Sequence, residues 1–204
     1  IRRGAWEHRR SLIKGNGYEE AWEEEAGKRG LQNQPSAAED LHYIVKDKNL
    51  ALFTKDHVFT ETEMRRRCDI MLENYCKIST IEAETMIEMI RKDIVPATYT
   101  YLKRLSETGL SMQKLVPKLA CGGLGKMVTE LCVLVEGLEE RAEALHSETE
   151  KAKGTQGAEA AAMVFRNRVL PAMETAREMA DALEEKIGEK YWPYPTYGDL
   201  LFGV

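Results

Sequence analysis

The chain has 204 residues, of which 43% are hydrophobic and 31% charged, and its formal net charge at pH 7 is -5. This balance predicts one globular domain, or one domain with an appendage. The mildly acidic surface argues against non-specific binding to nucleic acid or to an anionic membrane, and no apolar run reaches the roughly 20 residues that a membrane span requires.

Residues 1–60 predict short helices separated by breakers. Gly15-Asn-Gly17 and Gly30 are expected to end helices, because these residues tolerate the left-handed backbone of a helix C-terminus. The predicted helical segments are Ile1–Ile13, Tyr18–Arg29, a segment capped by Ser36 or Asp40 that leads to Leu41 and Ile44, and Lys48–Phe53.

A first long helix is predicted from Thr60 to about Glu107. Thr60 and Glu63 have the spacing of a capping box, in which each side chain binds the other residue's backbone N–H, and Phe59 is expected to pack on Met64 or a neighbour. Pro96 removes one backbone donor and predicts a kink. The apolar stripe of this helix is predicted at Met64, Cys68, Met71, Tyr75 and Ile78.

A second long helix follows a connection predicted at Gly109–Gly125. Its apolar residues step by four and three over three heptads, a pattern typical of helices that pack closely on a partner helix. Gly137 within it weakens the helix by roughly 1 kcal/mol unless a neighbour packs there. The stripe consists of Leu124, Val128, Leu131, Val135, Leu138, Ala142 and Leu145.

A third long helix is predicted from Ala158 to Ile187, after a loop at Lys151–Gly157, with Gly188 as its C-cap. The segment Arg166–Ala172 resembles Arg91–Ala97, since both place two branched apolar residues before a proline. We therefore expect the first and third helices to kink at matching heights and pack there. The predicted stripe is Phe165, Val169, Met173, Ala176, Ala180, Leu183 and Ile187.

No strand pattern competes with these helices, so the predicted class is all-α. The predicted architecture is a kinked antiparallel bundle of three long helices, with short N-terminal helices and an extended aromatic C-terminal tail. The chain opens on Ile1 without an initiator Met and closes on a marked tail, which suggests the C-terminal part of a longer protein.

Candidate catalytic motifs do not meet their spacing requirements. Cys121-Gly-Gly-Leu-Gly-Lys126 lacks the glycine spacing and the Ser or Thr of a phosphate-binding loop. The four histidines, His8, His42, His57 and His146, show no helical pair spacing for a metal, and the many glutamates are expected on solvated faces. We therefore assign no catalytic, cofactor-binding or metal-binding residue.

The four cysteines, Cys68, Cys76, Cys121 and Cys132, form no CxxC pair and no zinc-finger spacing. We expect them to be reduced thiols in a cytoplasmic protein, with Cys132 behaving as a small core residue.

The tail is the strongest functional candidate. Its aromatic residues bury large surfaces at low entropic cost, and Pro193 and Pro195 restrict its backbone. Two placements remain open: the tail folds back on its own bundle, or it docks on another domain or subunit. The aromatic residues are Tyr191, Trp192, Tyr194, Tyr197 and Phe202.

Three segments resemble type III glutamine synthetases, in family order. The first is Lys14-Gly-Asn-Gly-Tyr18 with Trp22 and Lys28-Arg-Gly-Leu31; the second joins His57–Glu63, Met71–Tyr75, Ile81–Ala83 and Lys92–Pro96; the third is Lys190–Phe202. Cys68 and Ser79-Thr80 differ from the residues usual at these positions in the family.

The resemblance implies that residues 1–55 are the end of a catalytic domain and residues 60–204 a helical extension with a docking tail at 189–204. It implies a parent enzyme that joins ammonia to glutamate with ATP and Mg, whose active-site motifs lie in N-terminal domains outside this chain. It also implies a homo-oligomer, the family dodecamer of two stacked hexameric rings.

The alternative is an independent helical interaction scaffold that uses the heptad stripe to bind a partner. A long reading frame upstream of Ile1 would favour the enzyme fragment, and a nearby start codon would favour the scaffold.

Overall fold

The computed structural model describes residues 6–9, 12–13, 15–31, 34, 36–116 and 121–202, apart from the side chain of Tyr197. These residues form helices and connections without a strand, so the predicted all-α class is confirmed. None of the helices in these ranges is long and apolar enough to cross a membrane. The chain divides into two compact units, Ile1–Cys68 and Asp69–Val204.

The helices follow one another along the chain with short connections. They are α1 (Glu20–Lys28), α2 (Ala37–Ile44), α3 (Asp47–Lys55), α4 (Glu61–Met89), a π-helical turn (Ile90–Ile94), α5 (Val95–Leu115), α6 (Gly122–Lys153), α7 (Ala158–Val164), a second π-helical turn (Phe165–Val169), α8 (Leu170–Glu184), a 3₁₀ turn (Glu189–Tyr191) and α9 (Tyr197–Phe202).

The predicted helix stop is confirmed at Gly30, which follows α1 and has a φ of 70°, a value that residues other than glycine rarely adopt. Gly15 also has a positive φ, 145°, but among the described residues it does not end a helix. Of the two predicted caps, Ser36 is the one used, because its hydroxyl accepts the Glu39 N–H at 3.4 Å. The predicted Ile1–Ile13 helix lies partly outside the described residues, and residues 12–13 are not helical.

The capping box at the start of α4 is confirmed. The Thr60 N–H donates to Glu63 Oε2 at 2.8 Å, and the Glu63 N–H donates to Thr60 Oγ1 at 3.2 Å. The hydrogen bonds from Thr60 hold the pKa of Glu63 below its usual value. The ring of Phe59 lies 6.1 Å from that of Phe53 and receives the guanidinium of Arg67 at 4.8 Å.

The predicted stripe of α4 is wrong at Met71 and Ile78, whereas Met64 and Cys68 are buried and Tyr75 packs, partly buried, against the core. Met71 and Ile78 are 49% and 48% exposed, while Leu72 and Ala83 are buried. The buried positions step mainly by four residues, and such steps exceed the 3.6-residue turn, so the buried line winds around the helix. The buried residues of α4 are Met64, Cys68, Leu72, Ser79, Ala83 and Ile87.

The connection predicted at Gly109 is also wrong, because α5 continues through it to Leu115. A Cβ added at Gly109 would lie 2.9 Å from Leu124 Cδ2. This glycine therefore allows close approach of α6 and does not end the helix. Part of the remaining predicted connection, residues 117–120, lies outside the described residues.

Both prolines that the sequence singled out follow a five-residue π-helical turn. Pro96 follows the turn Ile90–Ile94 and Pro171 the turn Phe165–Val169, each after one intervening residue. The N–H of that intervening residue, Val95 or Leu170, bonds to a carbonyl five residues back. A proline ring clashes with the carbonyl four residues before it, and the wider turn relieves that clash. The kink itself stays a prediction.

The core of the second unit is built on α6. One cluster joins Leu131, Val135 and Leu138 to Ala176 and Leu183 of α8 and includes Ile90 and Ile94 of the first π-helical turn. A second cluster joins Leu145 of α6 to Ala83 and Ile87 of α4 and to Phe165 and Val169 of the second π-helical turn. The predicted stripes of the second and third helices are therefore confirmed in the core, with Leu124, Val128, Met173 and Ala180 only partly buried.

Two glycines of this unit sit against neighbouring side chains. A Cβ at Gly137 would lie 2.4 Å from Met179 Cε, so a neighbour does pack against this glycine, as the sequence required. The prediction that Gly188 caps the third helix is wrong, because α8 ends at Glu184 and Gly188 has a φ of -60°. A Cβ there would lie 3.6 Å from the ring of Tyr101.

A pair of variants on α6 tests this core. Leu138→Ala is expected to lower the free energy of unfolding by roughly 2–5 kcal/mol, because Leu138 is fully buried and truncation leaves a cavity. Val133→Ala is the matched control, since Val133 is 61% exposed on the same helix, and its change is expected within about 0.5 kcal/mol. Urea unfolding followed by circular dichroism measures both, and equal effects would contradict the assigned core face.

Candidate docking surface

The root of the C-terminal tail, residues 191–195, packs on its own helical unit. The ring of Tyr191 lies 5.1 Å from that of Tyr101 on α5, and the rings of Trp192 and Tyr194 are 6.5 Å apart. All three aromatic side chains pack against the larger core cluster while remaining partly exposed. The tail root therefore takes the first of the two placements that the sequence left open.

A hydrogen bond ties the tail root to the first π-helical turn. The Tyr194 hydroxyl donates to Asp93 Oδ2 at 2.6 Å. Burial raises the pKa of Tyr194 to about 12, and the hydrogen bond to Asp93 and the charge of that carboxylate contribute to the increase. The raised pKa extends the range over which the neutral phenol can donate this hydrogen bond to higher pH.

The end of the tail is a short helix with its own capping box. The Thr196 N–H donates to Asp199 Oδ2 at 2.8 Å, and the Asp199 N–H donates to Thr196 Oγ1 at 3.3 Å. These hydrogen bonds hold the pKa of Asp199 below its usual value. The spacing of Thr196 and Asp199 could have predicted this helix, but the sequence analysis treated the tail as extended.

Three adjacent apolar residues of α9 are exposed to solvent. Leu200, Leu201 and Phe202 are 72%, 69% and 79% exposed. Of the aromatic residues that the sequence singled out, Phe202 is therefore exposed, and the side chain of Tyr197 lies outside the described part of the chain. The tail divides into a packed root and an uncovered apolar helix.

A groove of about 570 Å³ lies beside the tail root. Its floor and walls are apolar and come from the end of α4, from α8 and from the root itself. Arg177 and three carboxylates, those of Glu82, Asp181 and Glu184, also line it. The main apolar residues are Ile81, Met86, Met89, Met173, Trp192 and Tyr194.

The sequence analysis missed this groove because it placed the wrong residues of α4 in the core. Met71, Ile78, Ile81 and Met89 instead form an exposed line along α4, of which Ile81 and Met89 reach the groove. Methionine side chains are flexible and adapt to varied partners, so a Met-rich groove suits an apolar segment better than a rigid small molecule.

A second depression, of about 700 Å³, lies within the first unit and contains Trp6, Trp22 and Arg29. The Arg29 guanidinium already stacks on Trp22, pairs with Glu25 at 2.8 Å and donates to the Leu12 carbonyl at 2.9 Å. Its charge is therefore engaged inside the unit, and we assign no ligand to this depression.

The motifs that the sequence analysis rejected lie in ordinary structural positions. Gly122, Gly123 and Gly125 form the first turn of α6, and no strand precedes them among the described residues. Within the described ranges, no three His, Cys, Asp or Glu side chains come together in a group that could hold a metal ion. Cys76, Cys121 and Cys132 are free thiols.

Comparison with known proteins gives consistent matches. Residues 1–113 match the family model described as glutamine synthetase C-terminal domain. A glutamine synthetase of Butyrivibrio fibrisolvens is 37% identical over 197 residues, which is 97% of this chain and 28% of that protein. A type-3 glutamine synthetase of Dictyostelium discoideum is 29% identical over 204 residues, covering 96% of this chain and 27% of the relative.

A glutamine synthetase of Bacteroides fragilis is 30% identical over 202 residues, covering 93% of this chain and 27% of that relative. The chain therefore spans less than a third of the length of the curated relatives that it matches.

The hydroxyl of Tyr194 provides a test of the tail root. Subtracting the tyrosinate absorbance titration of Tyr194→Phe from that of the original chain is expected to leave a midpoint at about pH 12. Because the folded-state pKa is raised, the contact is present below the ordinary tyrosine pKa of about 10 and is lost as the pH rises toward 12. A difference midpoint near pH 10 would show that Tyr194 is not bound to Asp93.

Proposed function

The chain belongs to the glutamine synthetase C-terminal domain family, and on that premise we propose that it is the C-terminal region of a longer glutamine synthetase. The observation that carries this proposal is the coverage: 97% of the chain aligns with 28% of a glutamine synthetase. The parent enzyme would join ammonia to glutamate with ATP in the cytoplasm, and this region would serve as architecture.

The described residues of this chain form no group that would hold the metal ion of such an enzyme. Among the described residues no three potential metal ligands come together, and several carboxylates of α4 and α6 form ion pairs with lysine or arginine, some of them across elements. Examples are Glu143 with Arg91 at 2.6 Å and Glu84 with Lys153 at 3.0 Å. We therefore route no catalytic step through this chain and place ATP and Mg in the N-terminal domains of the parent.

The proposed role is to brace the catalytic domain and to contribute to assembly of a homo-oligomer, with two stacked hexameric rings as the expected form. Residues 1–55 would be the exit from the catalytic domain, and residues 60–204 a kinked antiparallel bundle of three long helices. The docking tail would be 189–204. The exposed apolar helix α9 and the Met-rich groove support an assembly role, because large exposed apolar patches mark interaction sites.

The alternative of an independent scaffold rested on the heptad stripe of α6. That stripe is buried by the chain itself, because Leu131, Val135, Leu138 and Leu145 are at most 1% exposed within the two core clusters. Packing inside the unit thus explains the heptad pattern without an external helix.

A core variant of the full-length protein tests the proposed role. Val135→Asp places an unpaired carboxylate in the core and is expected to unfold the helical unit, with loss of the oligomer and of most glutamine formation. Glu136→Gln is the matched control on the adjacent exposed position and is expected to leave both unchanged. Light scattering and a glutamine assay measure the outcome, and an active Val135→Asp oligomer of normal size would refute an architectural role.

The chain alone is expected to form no glutamine from glutamate, ammonia, ATP and magnesium. The physical reason is that it supplies structure and leaves the reacting groups to the rest of the parent enzyme. Chromatographic detection of glutamine measures this directly. Turnover above the uncatalysed background would contradict the division of roles.

A further inference from the structure

The helix α9 is preformed although its apolar residues have no cover. A six-residue helix is too short to be stable alone, and here the Thr196–Asp199 capping box supports it. Leu200, Leu201 and Phe202 nevertheless remain 69–79% exposed. An ordered helix with three adjacent exposed apolar side chains is poised to bind an apolar surface without first having to fold.

The tail root holds this helix away from the groove of its own chain. Tyr194 is fixed by its bond to Asp93, and Pro195 lines the groove at the point where the tail leaves it. Pro193 and Pro195 restrict the backbone, and the Thr196 amide is committed to Asp199. The lining of the groove ends at Pro195, and none of the described residues of α9 belongs to it.

The groove matches an uncharged apolar segment. Its lining includes three methionines and the aromatic faces of Trp192 and Tyr194, and its rim includes three carboxylates and Arg177, which lies 3.4 Å from Asp181. Residues 200–202 carry no charge, so their entry would place no like charge against the acidic rim. Asp199 directly precedes Leu200 in the first turn of α9, where its carboxylate accepts hydrogen bonds from Thr196.

We propose that α9 of one copy of this chain inserts Leu200, Leu201 and Phe202 into the groove of a second copy, and that the second copy reciprocates. The tail root and the groove belong to the same unit, so each copy supplies one α9 helix that can insert and one groove that can receive it. A twofold arrangement satisfies both at once, because it brings the same surfaces of two subunits together.

The area argues for exchange in both directions. Burying two leucines and a phenylalanine removes on the order of 300 Å² of tail surface from water, and the groove loses a similar area. One insertion thus buries about 600 Å², which is the size of a weak contact, whereas two bury about 1,200 Å², the lower limit of a specific interface. This exchange would be one of the contacts in the homo-oligomer of the proposed function. The observations behind it are those on the tail and the groove alone.

Photo-crosslinking of mixed copies tests the exchange. Phe202→p-benzoylphenylalanine is introduced into the chain, and unlabelled and ¹⁵N-labelled copies are mixed before irradiation. We expect crosslinks that join position 202 of one isotope to Met86, Met89 or Met173 of the other, since these residues line the groove. Val133→p-benzoylphenylalanine, on an exposed position of α6 outside this groove, is the control and should not reach it.

Light scattering of the unmodified chain and of a tail variant supplies a second readout. The variant L200S/L201S/F202S is expected to fold normally, because these side chains are exposed, and to raise the dimer dissociation constant by about tenfold or more. Crosslinks confined to one copy would show that the tail docks in cis, and would overturn the proposal. So would a monomer at all concentrations, or an unchanged dimer in the tail variant.

The two proposals fail in different ways. If the crosslinks are absent while Val135→Asp still disrupts the full-length oligomer, the tail exchange is wrong and the architectural role stands. If the exchange is found while Val135→Asp leaves the enzyme intact, the architectural role is wrong and the tail contact stands.

Discussion

The packing of one apolar face of α6 is the interaction on which the second unit depends. Leu131, Val135 and Leu138 pack with α8 and the first π-helical turn, and Leu145 packs with α4 and the second π-helical turn. A single helix thus serves both core clusters. Because dense cores tolerate little displacement, this face fixes where the neighbouring helices lie and which of their residues remain exposed. The groove beside the tail root is one result of that arrangement.

The two proline segments adapt long helices to this core. In each, a π-helical turn precedes the proline by one residue and buries its first and last side chains, Ile90 and Ile94 in one turn and Phe165 and Val169 in the other. Each five-residue turn therefore buries two apolar side chains and also relieves the clash of the proline ring with the preceding helical turn. Asp93 of the first turn also binds Tyr194, so the same feature that shapes the helix anchors the tail.

The sequence predicted those parts of the fold in which local chemistry and packing agree. The heptads of α6, the Thr60–Glu63 box and the Ser36 cap depend on spacing within one segment, and each is present. The connection predicted at Gly109 was wrong because a glycine in a sequence suggests a helix end, whereas here its missing side chain makes room for Leu124 of another helix. The predicted burial of Met71 and Ile78 was wrong because two faces of α4 are apolar, and only packing decides which face is buried. The groove depends on that same choice, so the sequence could not locate it.

The central claim is that α6 is partnered within its own chain, so that the apolar surface left for a partner lies at α9 and the groove. Hydrogen exchange of the chain at rising protein concentration tests it most directly. Amide protection in α6 should be high and independent of concentration, while protection of residues 81–89 and 197–202 should increase with concentration. Protection in α6 that increased with concentration would mean that its heptad face binds a second molecule, and would contradict the account.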